Sequence, residues 1–192
     1  MGVTGGIGSG KTLVCSVFEK IGIPVYDADS RARTLMNEES GLVAEIRDLL
    51  GPEAYHEGSL NREYVAGRVF RDPDLLDRLN GIVHPAVRDD YLRWVEDQPG
   101  EPYVIEEAAI LFESGAHRFM DLTVLVYAPE NLRIRRVMER DGVREEEVRM
   151  RMRRQMDENK KRKLADEMIN NDGTEMLLPQ IIRLHQHILN HK

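Results

Sequence analysis

Eight residues near the start of the chain, Gly5-Gly6-Ile7-Gly8-Ser9-Gly10-Lys11-Thr12, constrain the fold more than any other stretch, because they satisfy G-x-x-x-x-G-K-[ST] in full. Such a segment works only between a strand and a helix. Glycines at 5, 6, 8 and 10 let the backbone curl so that several N–H groups converge on phosphate oxygens at a helix N-terminus. Lys11 then reaches the β- and γ-phosphates, and the Thr12 hydroxyl faces a Mg²⁺ that bridges them. The competing reading is a glycine-rich turn with a chance Lys-Thr. Context decides against it: an apolar run, Met1 to Thr4, precedes the loop, and Leu13, Val14, Val17, Phe18 and Ile21 form an apolar helical face behind it. The loop implies a nucleoside triphosphate site.

At 192 residues, 41% apolar and 32% charged, the chain suits one folding unit with a real core. A net charge of −7 argues against general nucleic-acid or acidic-membrane binding. The charge is uneven, since residues 133 to 163 hold 13 Arg/Lys against 7 Asp/Glu. One basic segment in an acidic protein points to a small polyanion met at one place. The lone Cys15 rules out an intramolecular disulfide, and no zinc ligand spacing occurs. No run reaches the roughly 18 to 20 apolar residues of a membrane helix, and the first residues lack signal-peptide character. We expect a soluble cytoplasmic protein, monomeric or weakly oligomeric.

Short β-branched runs alternate with stretches of helical period, the pattern of an α/β domain with a parallel sheet. Five runs qualify as strands: Met1 to Thr4, Ile23 to Tyr26, Tyr103 to Glu106 with a possible extension to Leu111, Leu122 to Tyr127, and a weaker Glu167 to Asn170. Leu122 to Tyr127, with little polar alternation, is expected at the sheet centre. About 75 residues between the second and third runs carry helical repeats, Leu42-Val43, Ile46, Leu49-Leu50 and Leu75-Leu76, Leu79, Val83, and read as an inserted helical lobe without a strong strand. Asp97 to Pro102 is a polar turn. Asn131 to Leu164 has few apolar anchors and a break at Asp141-Gly142, as in a mobile, solvent-facing helical arm. The last helix, Glu175 to Asn190, packs on the sheet, and His185, His187 and His191 are read as surface histidines because their spacing does not suit one metal on one helical face.

Several enzyme classes share the loop. A GTPase would carry N-K-x-D, but Asn159-Lys160-Lys161-Arg162 lacks the aspartate. A motor ATPase would want an acidic pair at a strand end, which Glu106-Glu107 imitates, yet the chain is too small for coupling modules. A small-molecule kinase explains more, since phosphoryl transfer needs alignment, charge neutralisation and exclusion of water. The helical insertion supplies an acceptor lobe and the basic arm a lid, on which Arg133, Arg136 and Arg140 can converge on a triphosphate. The alternative for these arginines is a solvated face with salt bridges to Glu145, Glu146 and Glu147. Asp27 and Asp29, at the end of the second run, divide between an acceptor-orienting carboxylate and a helix N-cap.

These residues together resemble the dephospho-coenzyme A kinase family, a group of P-loop kinases similar in fold to adenylate kinase. The likeness runs through Thr4 to Thr12, Asp27-Ala28-Asp29 with Ala32-Arg33, Leu79-Asn80 to His84-Pro85, Ile110-Leu111-Phe112-Glu113, Arg136 to Arg140-Asp141, and Ile169 to Gly173. It implies a three-layer α/β P-loop kinase fold with a five-stranded parallel sheet: core 1–29, 101–132 and 164–192, acceptor lobe about 30–100, lid about 133–163. It also implies transfer of the ATP γ-phosphate, with Mg²⁺, to the ribose 3′-hydroxyl of dephospho-coenzyme A. By the same resemblance Asp29 is the base, Lys11, Arg136 and Arg140 complete the catalytic set, and Gly6, Ile7, Gly8, Ser9, Gly10, Lys11, Thr12, Leu13 and Asn171 bind ATP. Arg33 and His84 join Asp29 at the acceptor, although Arg33 also suits solvent and His84-Pro85 also suits a helix boundary. Ala109 departs from the family's usual proline, and Glu106 and Glu107 stand where apolar residues are frequent; one of the two either holds a Mg²⁺-bound water or ends the strand. Another nucleoside or nucleotide kinase, or a nucleotide-dependent switch, remains the alternative.

Overall fold

The structure, a computed structural model, describes residues 1–190, so His191 lies outside the described residues. In chain order, strand β1 (Gly2–Thr4) leads through the glycine loop into helix α1 (Lys11–Lys20), and β2 (Val25–Asp27) runs directly into α2 (Ala28–Glu38). Then come α3 (Ser40–Leu50), a small hairpin β3 (Tyr55–His56) and β4 (Ser59–Leu60), α4 (Arg62–Arg71) and α5 (Pro73–Glu96). After these follow β5 (Ile105–Glu107), β6 (Thr123–Tyr127), α6 (Glu130–Asp141), α7 (Glu145–Met152), α8 (Glu158–Leu164), β7 (Glu167–Asn170) and α9 (Leu177–Asn190). Two compact units result, one of residues 1–27 and 98 onward, the other of residues 28–97.

The first unit is built on a five-stranded parallel sheet of order β2-β5-β1-β6-β7. The centre is therefore the three-residue β1, not Leu122 to Tyr127 as the apolar pattern suggests. That segment, as β6, is flanked by β1 and β7, and two-sided burial is common to both interior positions. A short central strand suffices because neighbours hold it on both sides, with Gly2 beside Glu106 and Thr123, and Thr4 beside Leu125. Each strand places its C-terminal end on one edge, where the loop after β1 emerges. The third strand stops at Glu107 and does not extend to Leu111.

Val14, Cys15 and Phe18 of α1 and Ile181 and Leu184 of α9 pack with Val3, Ile105, Val124, Val126 and Ile169 of the sheet. On α9 this is the 3.6-residue spacing of an amphipathic helix. His185 is not a free surface histidine: its Nδ1 sits 2.7 Å from the Tyr103 hydroxyl. The basic arm is likewise more than a solvent-facing strip. Gly142, at φ 66°, ends α6 where the break is expected. Ile134, Val137 and Val148 nevertheless form a small core with Ile7, Val143 and Met152 close by, and Arg133 and Lys161 are buried.

In the second unit Leu42, Ile46 and Leu50 of α3 meet Leu75, Leu79 and Val83 of α5 and Leu35 of α2, as their spacing requires. Arg31 clasps Asp90 through two hydrogen bonds of 2.8 and 2.9 Å, tying α2 to α5. The short β3–β4 hairpin escapes a reading based on apolar period, because each strand has two residues. Pro85 does not end a helix. It lies inside α5, which continues to Glu96, and the carbonyl four residues earlier belongs to Gly81, an exposed position.

Phe18 has no exposed surface, whereas Leu178 on the outer face of α9 is 56% exposed. Phe18→Ala should lower the unfolding free energy by about 3 to 5 kcal/mol and Leu178→Ala by less than about 0.5 kcal/mol in urea titrations. Equal losses would contradict the packing described.

Candidate active site

Loop geometry follows from the glycines. Gly8 (φ 80°) and Gly10 (φ 94°) occupy the left-handed region, and a Cβ on Gly8 would fall 2.5 Å from the Arg133 carbonyl oxygen. At Gly10 it would collide with the Asn171 amide nitrogen. Gly5 is required for another reason, since its Cβ would lie 2.5 Å from the Val126 oxygen. Within the loop Ser9 N–H bonds to Gly6 O at 2.9 Å, closing a tight turn. Lys11 and Thr12 then open α1, whose first N–H groups have no intrahelical acceptor and carry the positive end of its dipole. N–H groups at the start of a helix suit a phosphate by chemistry.

Side chains from β5 and from the stretch after β6 surround the loop. Glu107, buried at the end of β5, accepts from Lys11 Nζ and from Thr12 Oγ1, both at 3.0 Å. Asn171, just past β7, donates through Nδ2 to Ser9 O at 2.7 Å. Arg136 donates to Asn171 O at 3.0 Å and, more weakly, to Gly8 O at 3.5 Å. Arg133 packs its guanidinium on Gly6 and faces Glu158 Oε2 at 3.4 Å. Arg133 Nε and Glu158 Oε1 have no hydrogen-bond partner, and burial raises the Glu158 pKa against the pull of Arg133. Finally Ile7 N–H donates to Gln155 Oε1 at 2.8 Å.

Of the residues expected at the nucleotide, Gly6, Ile7, Gly8, Ser9, Gly10, Lys11, Thr12, Asn171 and Arg136 thus stand together. Leu13 follows in α1 with its side chain exposed. Arg140 does not converge with Arg136; it is exposed and pairs with Asp141 at 2.7 Å, an acid that Arg151 also contacts at 2.9 Å. The second guanidinium at the loop, beside that of Arg136, is instead that of Arg133. Part of the arm does follow the solvated-face alternative, with Arg149 bound to Glu145 and Glu130, and Arg144 near Glu147.

The dephospho-CoA kinase family profile matches residues 1–176. The chain belongs to the dephospho-CoA kinase family. A dephospho-CoA kinase of Salinibacter ruber is 45% identical over 177 residues, 91% of this chain and 89% of that one. Among solved structures, a Thermus thermophilus protein superposes with a TM-score of 0.84 at 38% identity, covering 98% of this chain and 95% of that one. The Campylobacter jejuni dephospho-CoA kinase shares the fold at a TM-score of 0.70 and 24% identity, covering 98% and 96%.

The remaining residues that resemblance to the dephospho-CoA kinases assigns lie on the second unit. Asp29 is in the first turn of α2, and Arg33, exposed, follows one turn later on the same helix. Asp29 lies inside α2 as its second residue, which leaves Asp27, immediately before Ala28, at the N-cap position. His84 is half-buried in mid-α5, and burial lowers its pKa, favouring the neutral ring. Among the described residues no group of three or more His, Cys, Asp and Glu side chains is arranged to hold a metal. The Thr12 hydroxyl and the Glu107 carboxylate are oxygen donors suited to a hard cation that takes its other ligands from phosphates and water. Cys15 has its thiol pKa raised, first by burial and then by Glu107, so it stays an inert thiol.

Glu106 and Glu107 do not form an acidic pair. Successive strand residues face opposite sides of the sheet, so only Glu107 meets the loop. Burial pushes the Glu106 pKa up to about 7, with the amino terminus of Met1 pulling it partly back. Between about pH 4.5 and 7 the folded chain therefore keeps a proton that the unfolded chain has released, and stability falls as pH rises through that window. Glu106→Gln should raise the melting temperature relative to the parent more at about pH 8 than at about pH 5. A difference constant across that range would refute the assignment.

Proposed function

We propose that ATP·Mg²⁺ binds over the glycine loop and that Asp29 accepts the proton of the ribose 3′-hydroxyl as the γ-phosphoryl group passes in line to that oxygen. The reaction of the family is ATP-dependent phosphorylation of dephospho-CoA, the last step of coenzyme A synthesis, and family membership over residues 1–176 assigns it to this chain. The observation that carries the site reading is the loop itself, with Lys11 and Thr12 held by one carboxylate at the mouth of a helix N-terminus.

Each group has a separable task. The loop N–H groups and Lys11 neutralise phosphate charge that grows on the bridging oxygen during transfer. Thr12 directly, and Glu107 through water, would hold Mg²⁺, which supplies further neutralisation and orientation of the phosphates. Arg136, fixed by Asn171, lines the nucleotide at Gly8, and Arg140 joins the phosphates if it exchanges Asp141 for them. Arg33 and His84 bind the acceptor. Residues 133–163 act as a lid that excludes water, which would otherwise receive the phosphoryl group.

Asp29→Asn should lose about 10²-fold or more in turnover while ATP binding persists, because an amide cannot take the proton. Near-parental turnover would remove Asp29 from the mechanism. The parent, offered ATP with dephospho-CoA, adenosine, AMP or no acceptor, should phosphorylate only dephospho-CoA. Transfer to AMP or adenosine alone would indicate another nucleotide or nucleoside kinase, and nucleotide binding without transfer a switch.

A further inference from the structure

Ile7 sits between two glycines of the loop, and its N–H is held by a side chain 148 residues away. Only an oxygen can receive that hydrogen, so the Gln155 amide orientation is fixed with Oε1 toward the loop. What fixes Gln155 is equally definite. Glu113 Oε1 accepts from Met156 N–H at 2.7 Å and from Lys161 Nζ at 2.9 Å. Lys161, with 0% of its side chain exposed, also donates to Ala109 O at 3.1 Å. Thus the residue after Gln155 and the helix that follows are both anchored on the segment after β5, and Gln155 has little freedom to leave Ile7.

We infer that Gln155 is a positioning residue for ATP, which fixes the Gly6–Ile7 peptide plane and so keeps the following N–H groups aimed at the phosphates. The inference rests on the phosphate-loop reading above and adds to it a group that touches no reacting atom. The physical reason is flexibility. Gly6 and Gly8 flank Ile7, and a peptide between glycines reorients easily unless a partner holds it. With the acceptor present, the loop enters the bound conformation without an ordering penalty; without it, ATP must select that conformation from several.

The test compares Gln155→Met, which keeps length but removes the acceptor, with Gln155→Glu, which keeps an acceptor of the same reach. Circular dichroism establishes that each is folded, and calorimetry with a non-hydrolysable ATP analogue measures affinity. We expect Gln155→Met to bind the analogue about tenfold or more weakly, with the KM for ATP rising in step and the KM for dephospho-CoA unchanged. Gln155→Glu should bind at least about threefold more tightly than Gln155→Met. Its added negative charge opposes ATP, so any recovery comes from the restored acceptor. Parental affinity in Gln155→Met, an equal rise in both KM values, or no recovery in Gln155→Glu would overturn the inference. Because the readout is nucleotide affinity, transfer to dephospho-CoA by the parent tests the functional reading separately.

Discussion

A loop that offers backbone N–H groups to a ligand must be held in place through the groups it does not offer: its carbonyls, its side chains and the N–H groups already partnered, those of Ile7 and Ser9. Here the constraint is met almost entirely by side chains from far along the chain. Glu107 holds Lys11 and Thr12, Asn171 holds Ser9, Arg136 reaches Gly8, Arg133 covers Gly6 and Gln155 holds Ile7. The sheet order explains why those residues are available. With β1 in the centre, the C-terminal ends of β5 on one side, and of β6 and β7 beyond it on the other, open beside the loop. A glycine-rich segment is cheap to bend and costly to fix, and a five-stranded parallel sheet brings enough polar groups to one edge to fix it.

The same constraint accounts for charge buried in the arm. Lys161 is enclosed, Glu113 meets it, and Arg133 faces Glu158 at a looser 3.4 Å. Burying such pairs gains little stability over apolar packing, but removing one partner costs about 3 to 5 kcal/mol. They act as directional restraints. An apolar contact would let residues 155–158 slide, whereas a carboxylate shared between Met156 N–H and Lys161 Nζ admits one register.

How much was legible in the sequence follows from the range of the interactions. The loop, its flanking strand and helix and the helical lobe were legible because glycine spacing and apolar period are local signals. The five strands were placed within a residue or two for the same reason. Enclosure within the arm was not legible, because residue counts report charge but not burial. Its run of cations suggested a solvent-facing strip, whereas Arg133 and Lys161 are buried, in pairs with Glu158 and Glu113 that no local pattern announces. Pro85 misleads in the opposite way: a strong local breaker is overridden by the apolar face that runs along α5 on both sides of it, Val83 before and Ala86 and Val87 after. Gln155 carried no signal, since one amide in a run of arginines becomes informative only when Ile7 is found beside it.

Separating Glu106 from Glu107 shows how one step along a strand divides two identical side chains into different chemistry. Glu107 faces a lysine and a hydroxyl and accepts a hydrogen bond from each; Glu106, buried on the other face of the strand, has its pKa pushed up to about 7 by that burial. For the Lys11–Glu107 pair the consequence concerns the nucleotide. A lysine held 3.0 Å from a carboxylate stays extended along the loop instead of folding back on α1, so an arriving triphosphate meets the ammonium in place. One carboxylate links the Lys11 ammonium and the Thr12 hydroxyl, and its position follows from the register of β5 on both neighbours, with Glu107 beside Val3 of β1 and Asp27 of β2.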